Sequence, residues 1–378
     1  MSLLSELLTR ARLALAKPQS HTGSGALQAQ VSKTINDALV AAGLSPHPPS
    51  APPQAEELPA QRPREDRPAR GSNRAAKSTS LPGTFVEHSF AHAAGTRRYK
   101  LYTPSHYLAD AQATSPLLLM LHGCTQSPDD FAAGTRMNEL AEQHGFLVAY
   151  PAQSAKANHS RCWNWFRPGD QLRAGGEPAL LAALAQDIAH HHAVDPTRIY
   201  VAGLSAGAAM AVILGATYPD VFAAVGSHSG LPYRAAHDMP SAFAAMGGRA
   251  VARAPVENVS AAGLPVTPLI AFQGDCDRTV AASNADTLVR HAIRAADLLS
   301  PERRVSTGEG TGRAYTRTTY TTAQGDPLIE FWQIHGAGHA WSGGSPSGSY
   351  TDAQGPDASA EMVRFFLQVR RREIRAAA

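Results

Sequence analysis

The stretch Ile199-Tyr200-Val201-Ala202-Gly203-Leu204-Ser205-Ala206-Gly207, continued by Ala208 to Leu214, decides how this chain is read. Ile199 to Ala202 form the short apolar run of a buried strand, and Ala208 to Leu214 form an apolar helix-like run. Only a five-residue turn separates them, with a serine at its centre. A chain that passes so sharply from strand to helix leaves no room for a Cβ on either side of the bend. Gly203 and Gly207 are therefore expected where the two elements cross, and Ser205 is expected to stand proud of the backbone. Alone, Gly-x-Ser-x-Gly is a weak pattern in a chain with 31 glycines, and Ser205 would then be an ordinary turn residue. The partners must carry the argument.

A serine hydroxyl is a poor nucleophile at neutral pH; it needs a base, and the base needs a carboxylate to hold its tautomer. Downstream, Val266-Thr267-Pro268-Leu269-Ile270-Ala271-Phe272 reads as a buried strand running into Gln273-Gly274-Asp275-Cys276-Asp277. Leu328 to Ile334 reads as another, running into His335-Gly336-Ala337-Gly338-His339-Ala340-Trp341. Serine, acid and histidine thus follow one another, each at the C-terminal end of a strand, where open α/β sheets place their sites. Ser205 is the candidate nucleophile and His339 the base, and the acid is Asp275 or Asp277, both of which follow the same strand. The plainer alternatives are that His339 fills a glycine-rich loop and that Asp277 caps a helix beginning near Ala281. Acyl transfer also needs two backbone N–H groups for the oxyanion. Ala206, after the nucleophile, is one; Cys124, in the loop His122-Gly123-Cys124-Thr125-Gln126 after the strand Leu117 to Leu121, is the other. A small buried role for the Cys124 side chain is compatible with this, because only its N–H is required.

These blocks, together with Cys162-Trp163-Asn164-Trp165-Phe166, His228-Ser229-Gly230-Leu231-Pro232-Tyr233 and Gly338 to Gly344, resemble the polyhydroxybutyrate depolymerase family of esterases, in the α/β-hydrolase superfamily. The same group includes feruloyl and acetylxylan esterases, and the resemblance runs from about residue 83 to about residue 370. The family's acid follows a His-Gly-x-x-Asp-x-x-Val pattern, which lands on Asp277 with Val280 after it, but Gln273 stands where the family has histidine. The resemblance implies an α/β-hydrolase fold, a mostly parallel twisted sheet with helices on both faces. It also implies that Cys124 and Cys162 can be bridged in an oxidising compartment. Cys276, left over, is expected to be buried beside the acid.

With 378 residues and 43% hydrophobic content, the chain has room for one large α/β domain plus appendages. A net charge of +3 with scattered arginines argues against nucleic acid. No apolar run approaches the ~20 residues of a membrane span. Glu6, Arg10 and Arg12 interrupt any secretory h-region, which points to the cytoplasm, although many relatives are secreted. Residues 1–45 carry two amphipathic helical patterns, on Leu3, Leu4, Leu7, Leu8, Ala11 and Leu15, then on Leu27, Val31, Ile35, Ala38 and Leu39. They are expected to form a hairpin on the domain or on another copy, or to adsorb to an apolar surface such as a polyester granule. Residues 46–82, rich in Pro, Ala and Arg, read as a flexible linker, and 83–378 as the catalytic domain. His190-His191-His192 cannot converge on one ion from adjacent helical positions, and no other spacing suggests zinc. No metal and no cofactor are expected.

The expected reaction is ester hydrolysis through an acyl-enzyme. The resemblance favours short-chain poly(3-hydroxyalkanoate) or its oligomers as substrate. The chain stops soon after a final helix over Ala358 to Leu367, which speaks against a polymer-binding module and against attack on crystalline polymer. Trp163, Trp165, Tyr233 and Trp341 are the candidates for an apolar substrate groove, core packing being the alternative for about half of the aromatic residues near the site. A feruloyl or acetylxylan-type carboxylesterase is the second enzymatic reading. A granule-associated scaffold that keeps an unused hydrolase fold is the non-enzymatic one.

Overall fold

Alternation along the central strands sorts the core into two layers. In the run Ile199 to Leu204, Ile199 and Val201 join one apolar cluster while Tyr200, Ala202 and Leu204 join the other. Leu117, Leu119 and Leu121 divide from Leu118 and Met120 in the same way. A strand that is apolar on both faces must be covered on both, which is why these segments read as unbroken hydrophobic runs.

The computed structural model describes residues 81–109, 114–249, 266–296, 302–322, 325 and 327–371. The helical patterns over 1–45 and the linker over 46–82, apart from residues 81 and 82, lie outside them. The elements run β1 (Thr84–His92), β2 (Gly95–Thr103), α1 (Ser105–Ala109), β3 (Ser115–Leu121), α2 (Pro128–Thr135), α3 (Met137–His144), β4 (Leu147–Pro151), α4 (Gly176–His191), β5 (Val194–Leu204) and α5 (Ala206–Thr217). Then come β6 (Ala224–His228), α6 (Met239–Met246), β7 (Leu269–Gly274), α7 (Ser283–Ala295), β8 (Glu302–Glu309), β9 (Ala314–Thr321), β10 (Pro327–Ile334), β11 (Trp341–Ser342), β12 (Thr351–Asp352) and α8 (Ala358–Leu367).

Ten strands form one sheet in the order β1-β2-β4-β3-β5-β6-β7-β10-β9-β8. The strands from β4 to β10 pair in parallel. Antiparallel pairs close both ends. From β3 the chain steps to β4 on one side and returns to β5 on the other. The carboxyl ends of β3 and β5 therefore flank a topological switch point, with Leu121 opposite Gly203. Helices α4 and α5 cover one face; α3 and α8, through Met137, Ala141, Met362, Val363, Phe365 and Phe366, cover the other. This is the α/β-hydrolase fold. Among the described residues no helix is long and apolar enough to cross a membrane.

The hairpin β8-β9 lengthens the sheet beyond β10. Its outer strand, Glu-Arg-Arg-Val-Ser-Thr-Gly-Glu, is almost wholly exposed on both faces, so it carries no hydrophobic alternation by which to be recognised in the sequence.

Candidate active site

The turn after β5 holds Ser205 at φ 58° and ψ −118°, in the region that non-glycine residues avoid. Its neighbours explain how that conformation survives. A Cβ on Gly207 would lie 2.0 Å from Leu121 O, and one on Gly203 would lie 2.5 Å from the Gly207 carbonyl carbon. Strand β3, strand β5 and helix α5 thus touch backbone to backbone around the serine. The Ser205 N–H donates to His228 O at 2.9 Å, tying the turn to the end of β6.

The loop after β7 brings Asp277 to His339. Asp277 Oδ2 is 2.7 Å from His339 Nδ1, and both side chains are buried. Asp277 Oδ1 accepts from the N–H groups of Thr279 and Val280 at 2.9 and 2.8 Å. One carboxylate oxygen shapes its own loop while the other orients the imidazole, so the turn-forming and partner roles coexist. Burial pushes the Asp277 carboxyl up, but His339 and the two N–H donors outweigh it and hold it below the usual carboxylate range. Asp275 points elsewhere: it accepts from Gly336 N at 2.7 Å and pairs with His335 on the surface at 2.9 Å. Helix α7 begins at Ser283, with no side-chain cap from either aspartate.

Gln273 lies under this pair. Its Nε2 faces three acceptors, Asp277 Oδ2 at 3.1 Å, Val280 O at 3.1 Å and Gly274 O at 3.3 Å, which fixes the amide orientation. Its Oε1 is buried without a hydrogen-bond partner among the described residues. The departure from the histidine of the resembling family thus supplies a neutral donor to the acid.

The loop after β3, which carries the candidate oxyanion donor Cys124, is fastened from several sides. Cys124 and Cys162 form a disulfide. Trp163 Nε1 donates to His122 O at 3.0 Å, and Thr125 N to Ser160 O at 2.7 Å. Gln153 N donates to His122 Nε2 at 3.1 Å, which places the ring proton on Nδ1, facing Gly123 O at 2.7 Å. Burial holds this ring neutral, with its pKa pushed down to about 4. Beneath the Cys162 block, Arg97 and Gln153 pair, and Glu177 accepts from Gln153 and from Asn164 N at 2.8 Å. Burial lowers the Arg97 pKa and raises that of Glu177. Among the described residues no loop, turn or cap hydrogen bond draws on the N–H of Cys124 or Ala206.

Ser205 and His339 open onto one cleft of about 370 Å³, lined also by Gly123, Cys124, Leu204, Met246, Thr279 and Tyr350. The expected aromatic groove is corrected here. Trp163 and Trp341 are 0% and 1% exposed, Trp165 is buried, and all three belong to the core. The indole N–H groups of Trp163 and Trp341 serve structure, the first on His122 O and the second on Ser359 Oγ. Tyr233 is half-buried, donates to Gln171 O, and is not among the residues that line the cleft. Cys276 is exposed, not buried. Of the actual lining, Tyr350 follows the histidine loop as one more aromatic residue, whereas Met246 and Thr279 carry no sequence signal. Among the described residues no group of three or more His, Cys, Asp or Glu side chains is placed to hold a metal ion.

The profile of the family described as Esterase PHB depolymerase matches residues 97–312. The chain belongs to that family. The family match takes in Ser205 and Asp277 and ends before His339. Poly(3-hydroxyalkanoate) depolymerase C of Paucimonas lemoignei is 34% identical over 253 residues, 65% of this chain and 59% of that protein. Feruloyl esterase B of Neurospora crassa is 34% identical over 136 residues, 35% of this chain and 44% of that protein. The chain thus spans about half the length of these curated relatives, 59% and 44%. Among solved structures, the acetyl xylan esterase from Aspergillus awamori superposes with a TM-score of 0.57 at 19% identity, over 76% of this chain and 100% of that one, which is a likeness of fold.

Proposed function

We propose that this chain is a serine carboxylic ester hydrolase acting on short-chain poly(3-hydroxyalkanoate) oligomers. The observation that carries the proposal is that a strained-turn serine and a histidine fixed by a buried carboxylate open onto the same cleft. His339 takes the Ser205 proton as Oγ attacks the ester carbonyl, and Asp277 orients and stabilises the imidazolium. The N–H groups of Cys124 and Ala206 hold the oxyanion. The alcohol leaves with the proton from His339, and water, activated by the same imidazole, releases the acid from the acyl-enzyme.

The similarity to a poly(3-hydroxyalkanoate) depolymerase and the small, largely apolar cleft support the substrate class. The disulfide beside the oxyanion loop supports an oxidising, extracellular setting over the cytoplasmic one expected from the N-terminus. A polyester granule as partner of residues 1–45 belongs to the same proposal and is supported by their sequence pattern. The test is hydrolysis of p-nitrophenyl butyrate: Ser205→Ala lowers kcat by about a million-fold, and undiminished turnover by the folded variant contradicts the proposal.

A further inference from the structure

Tyr350 lines the cleft that Ser205 and His339 share, and its hydroxyl lies 3.1 Å from Thr125 Oγ1. Thr125 Oγ1 in turn donates to Cys124 O at 2.6 Å. A hydroxyl has one proton, and a carbonyl oxygen has none to give. The threonine proton is therefore spent on Cys124, and Thr125 Oγ1 meets Tyr350 with a lone pair. Tyr350 must be the donor in that contact. Its own proton is committed, and its phenolic oxygen is left as an acceptor in the cleft it lines together with Gly123, Cys124, Leu204, Met246 and Thr279.

The pair is held against conformational preference. Thr125 sits at φ 69° and Tyr350 at φ 54°, a region that a β-branched or aromatic residue enters only when its surroundings impose it. Gln126 Nε2 bonds Ser349 O at 3.1 Å and Trp341 N bonds Tyr350 O at 2.7 Å, so both loops are fastened on either side of the contact. The contact between Tyr350 and Thr125 is thereby held in place.

We propose that Tyr350 selects esters carrying a free hydroxyl next to the scissile ester over the same esters with that hydroxyl capped. The inference rests on the assignment of this cleft as the ester site. In an oligomer of a hydroxy acid, only the unit at the hydroxyl end has a proton to donate; in every interior unit that oxygen is already esterified. The acceptor therefore favours attack next to the hydroxyl terminus.

The test is calorimetric titration of Ser205→Ala protein, which binds esters without turning them over, with methyl 3-hydroxybutyrate and with methyl 3-methoxybutyrate. The hydroxy ester is expected to bind about three- to tenfold more tightly, the range of one hydrogen bond, and adding Tyr350→Phe should erase the difference. Thr125→Val in the same background frees the phenolic proton and should narrow the gap by favouring the methoxy ester. Equal affinities, no binding of the hydroxy ester, or a preference that survives Tyr350→Phe overturns the proposal. Turnover of p-nitrophenyl butyrate that does not depend on Ser205 is a separate failure, that of the catalytic assignment itself.

Discussion

His339 Nδ1 and Asp277 Oδ2 lie 2.7 Å apart with both side chains buried, while Asp275, two residues earlier, turns to His335 on the surface. The difference between the two acids lies in the loop. Asp277 folds back on the N–H groups of Thr279 and Val280 and so points its second oxygen inward; Asp275 is drawn outward by Gly336 N.

Asp277→Asn should lower kcat by about ten-thousandfold, because an amide there no longer holds the productive imidazole tautomer. Asp275→Asn removes only a partly exposed pair and should change kcat by less than about fivefold. Steady-state kinetics on p-nitrophenyl butyrate check both, and the reverse ranking would assign the acid to Asp275.

Gly207→Ala forces a Cβ to within 2.0 Å of Leu121 O, a backbone atom that cannot move aside without shifting β3. A loss of at least about 3 kcal/mol is expected in urea unfolding. Gly169→Ala, where nothing lies within 4 Å of the added carbon, should stay within about 0.5 kcal/mol of the parent.

Replacing both Cys124 and Cys162 by serine opens a loop of sequence separation 38. In the chain-entropy picture this costs about 4 kcal/mol, read as a lower urea midpoint. Because the bridge fastens the loop that carries the proposed oxyanion donor Cys124, kcat should also fall.

His122 and His228 are buried and neutral, with pKa values pushed down to about 4 and about 3, chiefly by desolvation. In the unfolded chain both titrate near 6.5. The unfolded state therefore binds more protons below that value, and stability, complete above about pH 6.5, is lost as pH falls toward the folded pKa values. Each ring should cost about 2 kcal/mol between pH 6.5 and pH 5. Urea midpoints at the two pH values measure this, and His228→Phe should flatten the dependence.

The turn at Ser205, the strand ends that precede Asp277 and His339, and the loop after β3 were legible because each is a local pattern: an apolar run that stops at small or polar residues. Helix α8 runs over the expected range, Ala358–Leu367. Strand position does not distinguish Asp275 from Asp277, since both follow β7; the hydrogen bonds of the loop turn Asp277, and not Asp275, toward His339. The aromatic residues misled for a physical reason. Trp163 and Trp341 are near the site in sequence, but their large apolar surface is worth more inside the core, where each indole N–H also finds an acceptor. The cleft wall is instead made by Met246 and Thr279, which only the three-dimensional packing of α6 and the acid loop brings together.

The assignment of Ser205 as nucleophile is tested most directly by mass spectrometry after reaction with a p-nitrophenyl alkylphosphonate, which phosphonylates an activated serine. One adduct should form, on the peptide carrying Ser205; it should be absent in Ser205→Ala and form much more slowly in His339→Gln. An adduct on another residue, or ester hydrolysis that continues with Ser205 unmodified, would contradict it.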